Sequence, residues 1–222
     1  SRSSAVAVDL RTSRAREVAL PGSVADIALR PGGDGLFATT YGDGRRDSRR
    51  LLAIDWSGGV RTLATGVGTT VLPAEDGTLL VTGPVTARGR SLRVLDGDGG
   101  EVVREVATPL SCVPSRWWEP GVVAARCWGS RQRLELWLIP LDGSSPTQLS
   151  TYHGRRSADL GDLDARELGG QTYLEASRSC GYTFLARQEV DGSATTIDVP
   201  GAGGSVRLVD STDTALVIQH AV

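Results

Sequence analysis

Leu136-Trp137-Leu138-Ile139-Pro140-Leu141-Asp142-Gly143 reads as one short apolar strand that runs into an Asp-Gly turn. The same grammar recurs along the chain. It returns as Val8-Asp9-Leu10-Arg11-Thr12, Ile54-Asp55-Trp56-Ser57-Gly58 and Leu95-Asp96-Gly97-Asp98-Gly99, and again as Gln188-Glu189-Val190-Asp191-Gly192. With Ile139 marking the copy above, the copies begin at residues 8, 54, 95, 139 and 188, so the steps are 46, 41, 44 and 49 residues. That period fits a four-stranded propeller blade.

A second turn falls between these copies. It is Pro31-Gly32-Gly33-Asp34-Gly35, then Glu75-Asp76-Gly77, then Glu119-Pro120-Gly121, then Leu168-Gly169-Gly170. Each precedes a short apolar strand: Leu36 to Thr39, Thr78 to Val81, Val122 to Ala125 and Thr172 to Ala176. The blade order is therefore strand A, Gly turn, strand B, polar loop, strand C, Asp-Gly turn, strand D. Blades are expected over residues 24–64, 69–106, 110–149 and 162–199. The N-terminal strands, within residues 5–20, and the C-terminal strands, within 205–222, are each half a blade. The fold class expected is thus all-β: a single-domain propeller of about five four-stranded blades, the last closed by strands from both termini. Closure of that kind removes exposed sheet edges. A fragment of a longer propeller is the other reading of the same ends.

Composition agrees. The 222 residues are 40% hydrophobic and 5% aromatic, with 28 Gly and 10 Pro, which suits many short strands and tight turns. Net charge is −2, so no global field recommends nucleic acid or an anionic membrane as a partner. All 24 basic residues are Arg, as a GC-rich genome would produce. No apolar run approaches the roughly 20 residues that span a bilayer. The chain has no Met even at position 1, as expected of a processed product or an excised domain.

Arg30-Pro31-Gly32-Gly33-Asp34-Gly35-Leu36-Phe37-Ala38 and the Leu136–Gly143 stretch resemble the WD40-like, TolB-type propeller repeats. The Ser of that family's Ser-Pro-Asp-Gly turn is missing from every blade. The stretch from Cys112 to Cys127, with Arg116-Trp117-Trp118 inside it, also resembles secreted or membrane-anchored actinobacterial proteins of this kind. The resemblance implies a fold and an extracytoplasmic setting. It implies no catalytic residue, since a shared propeller fold carries no shared function.

Cys112 and Cys127 are equidistant from the Glu119-Pro120 turn, which places them opposite each other in an antiparallel hairpin and within disulfide range. Two buried thiols would satisfy the same spacing. Cys180 is left to pair with Cys127 across blades or to stay free. A disulfide would place the chain in an oxidising compartment. No Cys-x-x-Cys spacing is present, and no metal or cofactor is expected.

No nucleotide-binding, zinc-protease or nucleophile-elbow motif occurs. Asp162 and Asp164 flank Leu163 on an expected inner strand and are candidates for a central channel. Trp117 and Trp118 are expected in a loop, and Trp137 in the core. The B–C and D–A loops carry Arg45, Arg46, Arg49, Arg50, Arg88, Arg90, Arg131, Arg133, Arg155, Arg156 and Arg178. The opposite loops carry Asp34, Glu75, Asp76, Asp98, Glu101, Glu119, Asp142, Glu167 and Asp191. Arg guanidinium matches carboxylates and phosphates through paired hydrogen bonds. The functional expectation is a non-enzymatic binding propeller that recognises a protein or anionic ligand through the Arg-rich face. Two alternatives stay open: a five-bladed carbohydrate-active or carbohydrate-binding domain using the channel, and an extracytoplasmic sensor domain of a membrane-anchored regulator.

Overall fold

The computed structural model describes residues 3–9, 13–41, 48–83, 91–128, 134–151, 160–168, 170–178, 183–189, 194–197, 206–211 and 215–220. Among them lie twenty β-strands and no α-helix. Two compact units divide the chain at residues 108 and 109.

The first unit opens with a hairpin of β1 (Ser3–Asp9) and β2 (Arg14–Leu20). A four-stranded sheet follows: β3 (Val24–Leu29), β4 (Gly35–Thr40), β5 (Arg50–Asp55) and β6 (Val60–Thr65). The next is β7 (Val71–Pro73), β8 (Thr78–Thr82), β9 (Ser91–Asp96) and β10 (Val102–Ala107). Each sheet is an antiparallel meander in chain order.

The second unit holds β11 (Ser111–Glu119), β12 (Val122–Trp128), β13 (Leu134–Pro140) and β14 (Thr147–Thr151) in one sheet. Its second sheet is β15 (Leu160–Leu168), β16 (Gln171–Arg178), β17 (Thr183–Gln188) and β18 (Ala194–Ile197). A hairpin of β19 (Val206–Ser211) and β20 (Leu216–His220) ends it. Four complete blades and two half-blades make a β-propeller of about five blades. Among the described residues the two terminal hairpins are separate two-stranded sheets, and the single sheet expected to join both ends is not formed.

The middle strands explain why their sequences run apolar without alternation. Leu51, Leu52, Ala53 and Ile54 of β5 are all buried. Leu52 and Ile54 join Leu36 and Ala38 against Ala5 and Val18 of the first hairpin. Leu51, Ala53 and Phe37 turn the other way and meet Val71, Leu79, Val81 and Leu95 of the following blade. A strand covered on both faces needs apolar residues at every position. Each fully buried Leu or Ile contributes about 1.5–3 kcal/mol before the cost of ordering the chain. The outer strand β6 packs inward through Leu63 and the half-buried Ala64 and exposes Val60, Arg61, Thr62 and Thr65.

Polar straps join the first two blades. Thr39, fully buried, donates its hydroxyl to the Thr69 carbonyl at 2.7 Å. The Val71 N–H donates to the Asp26 carboxylate at 3.1 Å. In the second unit, the Gln188 side-chain amide donates to the Leu149 carbonyl and ties consecutive blades in the same manner.

Candidate interaction site

In each meander the A–B and C–D turns lie at one end of the blade and the B–C loop at the other. The turn end is built by short acidic side chains. Asp55 accepts the Ser57 hydroxyl, the Ser57 N–H at 2.8 Å and the Gly59 N–H at 2.9 Å. These bonds, the Ser57 hydroxyl foremost, hold the Asp55 carboxyl below its usual range. Asp76 accepts the Thr78 hydroxyl at 2.7 Å and the Thr78 N–H at 2.9 Å, and its carboxyl is lowered for the same reason. Asp142 takes Ser144 likewise. Gly77, at φ +86°, closes its turn by donating to the Ala74 carbonyl at 3.1 Å. A positive φ there favours a residue without a Cβ. Asp34, Glu75, Asp76, Asp98, Glu101, Glu119, Asp142 and Glu167 are all exposed at this end, while Asp191 lies outside the described residues.

At the B–C end of the first blade the described rim is pinned by backbone bonds. Tyr41 N–H donates to the Ser23 carbonyl at 3.0 Å, and Gly66 N–H to the Arg49 carbonyl at 2.9 Å. Arg50 N–H donates to the Thr40 hydroxyl at 3.1 Å. Arg49 is half-buried and Arg50 exposed, and Tyr41 is 53% exposed beside them. Arg50 opens strand β5 and Arg178 closes strand β16, opposite Leu160, so both belong to strand ends rather than to the loops expected for them. Ladder pairing extends that far because each has a partner backbone across the sheet. Arg45, Arg46, Arg88, Arg90, Arg131, Arg133, Arg155 and Arg156 lie outside the described residues.

Asp162 and Asp164 lie on β15, opposite Ser177 and Glu175. A further acidic position, Glu175, thus lies on the adjacent strand of the same sheet. Nothing in the spacing of 11 residues between Asp164 and Glu175 signals this; only the hairpin register does. Among the described residues, no group of three His, Cys, Asp or Glu side chains comes together as a metal site would.

Trp117 and Trp118 are strand residues, because β11 runs on to Glu119 instead of ending in a loop. Arg116 lies over the Trp118 ring at 5.3 Å, and Trp118 packs against the core formed by Leu134, Leu136 and Leu174. Trp137, expected in the core, is half-buried, because its ring N–H reaches the Glu135 carboxylate at 2.9 Å. Cys112 and Cys127 are direct cross-strand partners and form a disulfide with S–S 2.00 Å. Cys180 lies outside the described residues.

A shallow depression sits near the turn end of the first blade. It encloses about 310 Å³ and is lined by Arg30, Ala53, Asp55, Gly59, Val60 and Arg61. Sequence reading passed over it, because Arg30 and Arg61 sit in strands and turns otherwise counted as acidic.

No protein-family model matches the sequence, and no curated protein matches it. Solved structures do. TolB from Agrobacterium tumefaciens superposes with a TM-score of 0.64 at 19% identity, covering 91% of this chain and 72% of that one. The fold is that of the TolB and WD40-like β-propellers. The Cps50 (Swd1) propeller domain from Myceliophteria thermophila gives 0.57 at 15% identity over 90% of this chain and 63% of that one. The propeller domain of the Trilobed protease from Pyrococcus furiosus, which has an open velcro topology, gives 0.58 at 12% identity, covering 92% and 64%. This chain therefore spans about two thirds of the length of these propellers. Among the described residues no helix is long and apolar enough to cross a membrane.

Proposed function

We propose that this chain is a non-enzymatic protein-interaction propeller that engages an anionic partner at the B–C end of its blades. The observation that carries the reading is the first-blade rim. Four strand ends are locked there by backbone hydrogen bonds, and Tyr41, Arg49 and Arg50 are presented together from that fixed frame. A rigid base lowers the ordering cost of binding, and guanidinium groups recognise carboxylate and phosphate through paired bonds. The sequence supplies nine further Arg in the corresponding loops and strand ends of this and other blades. The Cys112–Cys127 disulfide supports an oxidising, extracytoplasmic setting, secreted or membrane-anchored. An actinobacterial source is part of the same proposal.

Binding of fluorescein-labelled poly-glutamate, measured by anisotropy, tests this. Replacing Arg45, Arg46, Arg49 and Arg50 together with Ser should abolish most of the binding. Equal affinity of that variant and the parent would overturn the assignment.

A second reading, the carbohydrate-active or carbohydrate-binding domain, has one observation of its own. Asp164 and Glu175 stand opposite each other in register on β15 and β16, which brings two acidic positions of one sheet to adjacent strands. Its test is Asp162→Asn and Asp164→Asn on an array of oligosaccharides, with Arg49→Ser and Arg50→Ser leaving any signal intact.

A further inference from the structure

One row of residues crosses the first blade: Ala28 on β3, Phe37 on β4, Ala53 on β5 and Arg61 on β6, each opposite the next. Arg30 lies over the Phe37 ring at 5.7 Å. The row therefore has a guanidinium at either side and the methyl of Ala53 between them. That small side chain opens the depression of about 310 Å³, which matches the lower end of ligand pockets. Gly59 borders it without a side chain, and any Cβ there would run into the Asp55 carboxylate.

Four charges bear on this space, two of each sign, and they are not equivalent. The Asp55 carboxylate is committed to its own turn by the Ser57 and Gly59 bonds. Asp34 pairs with Arg30 at 3.3 Å but is 61% exposed, and an exposed pair of that kind is weak and replaceable. Arg61 is exposed. An incoming carboxylate meets two guanidinium groups and displaces only Asp34, forming charge-assisted bonds in exchange.

The strand beside the depression favours a polypeptide as the source of that carboxylate. β6 is the last strand of its sheet, and among the described residues it pairs with β5 alone. Val60, Arg61 and Thr62 are exposed in succession along it, Val60 by 48%. An extended segment laid along such an edge gains backbone hydrogen bonds and delivers alternate side chains to one face.

We propose that the Arg30–Arg61 depression holds an acidic side chain from an extended segment of a protein partner, added along the outer edge of β6. This site is at the opposite end of the blade from Tyr41, Arg49 and Arg50, and it stands independently of them.

The test uses the full chain, labelled with nitrogen-15, and three probes: acetyl-Val-Glu-Val-Glu-Val-amide, its Gln counterpart, and free glutarate. The Glu peptide should shift the amide signals of Ala53, Val60 and Arg61 saturably. The Gln peptide should bind at least tenfold more weakly. Arg61→Gln, a change at an exposed position, should weaken the Glu peptide at least fivefold at an unchanged melting temperature. Asp34→Asn should strengthen it, because the displaced competitor is gone. Equal binding of both peptides, or an unchanged affinity in Arg61→Gln, would overturn the site. Glutarate binding as tightly as the peptide would overturn the polypeptide source. Arg49→Ser with Arg50→Ser should leave every one of these shifts in place, which separates this site from the B–C end.

Discussion

The Asp26 carboxylate accepts the backbone N–H of Val71 at 3.1 Å, across 45 residues of sequence, and so fastens the first strand of one blade to its neighbour. The second oxygen of the same carboxylate accepts the Ile27 N–H at 3.0 Å. With the Thr39–Thr69 bond, it supplies side-chain partners to the backbone where two sheets meet. A buried N–H or C=O that loses its partner costs about 1–3 kcal/mol. Asp26→Ala and Thr39→Val should therefore each lower the unfolding free energy by about 1–2 kcal/mol, read from urea midpoints at constant slope. Midpoints equal to the parent would show that water replaces these bonds at no cost.

The disulfide joins two fully buried residues of one hairpin, 15 positions apart with Cα atoms at 4.0 Å. A cross-link closing a loop of that size stabilises by roughly 3 kcal/mol through the unfolded state. Replacing Cys112 and Cys127 together with Ala should lose about 2–3 kcal/mol. Because neither sulfur reaches solvent, dithiothreitol should reduce the bond far faster in 6 M urea than in buffer, as followed by alkylation and mass spectrometry.

Asp55 and Asp76 have folded-state pKa values below the ordinary 3.8. A depressed carboxyl contributes stability that is present above the unfolded pKa and is lost as pH falls through the folded one. Stability should therefore be level from pH 7 to about 5 on account of these groups and decline below pH 4. Asp55→Asn and Asp76→Asn should flatten that acid limb, and carboxyl carbon-13 titration should show both midpoints below 3.8.

Gly35 opens β4 with no room for a side chain, since an added Cβ would sit 2.2 Å from the Ile54 carbonyl oxygen. The obstacle is backbone and cannot rotate away. Gly35→Ala should destabilise by about 1–3 kcal/mol, as overpacking does. Gly32→Ala meets no neighbouring atom and strains only its positive φ, so its loss in a thermal melt should be the smaller of the two.

Poly-glutamate affinity should fall steeply between 50 and 300 mM salt if the Arg-rich rim binds it, since screening over about 8 Å at physiological ionic strength removes such contacts. Arg49→Ser and Arg50→Ser should meanwhile change folding stability by no more than about 0.5 kcal/mol, as surface substitutions usually do. Binding that is insensitive to salt would point to a different contact.

The blade pattern was legible in the sequence because it is local. An apolar strand, an Asp turn and a Gly turn repeat every forty-odd residues, and the Leu51–Ile54 run announces a strand covered on both faces. The Cys112–Cys127 register followed from symmetry about a single turn, with no other part of the chain needed. What spacing could not supply is which side chains meet across strands. Trp117 and Trp118 were misplaced because β11 continues past the point where the turn grammar stops it. Glu175 opposite Asp164, and Arg61 opposite Ala53, depend on register. In the first blade a bulge between Leu51 and Leu52 sets that register. A one-residue shift in a strand exchanges its two faces, and no residue type near Leu51 marks the bulge in advance. The sequence alone therefore determined how many strands form and which positions are apolar. Only the packed sheets decided that Arg30, just past the first strand of a blade, and Arg61, on its last strand, would border one depression, because that proximity arises from three successive strand pairings and not from any one of them.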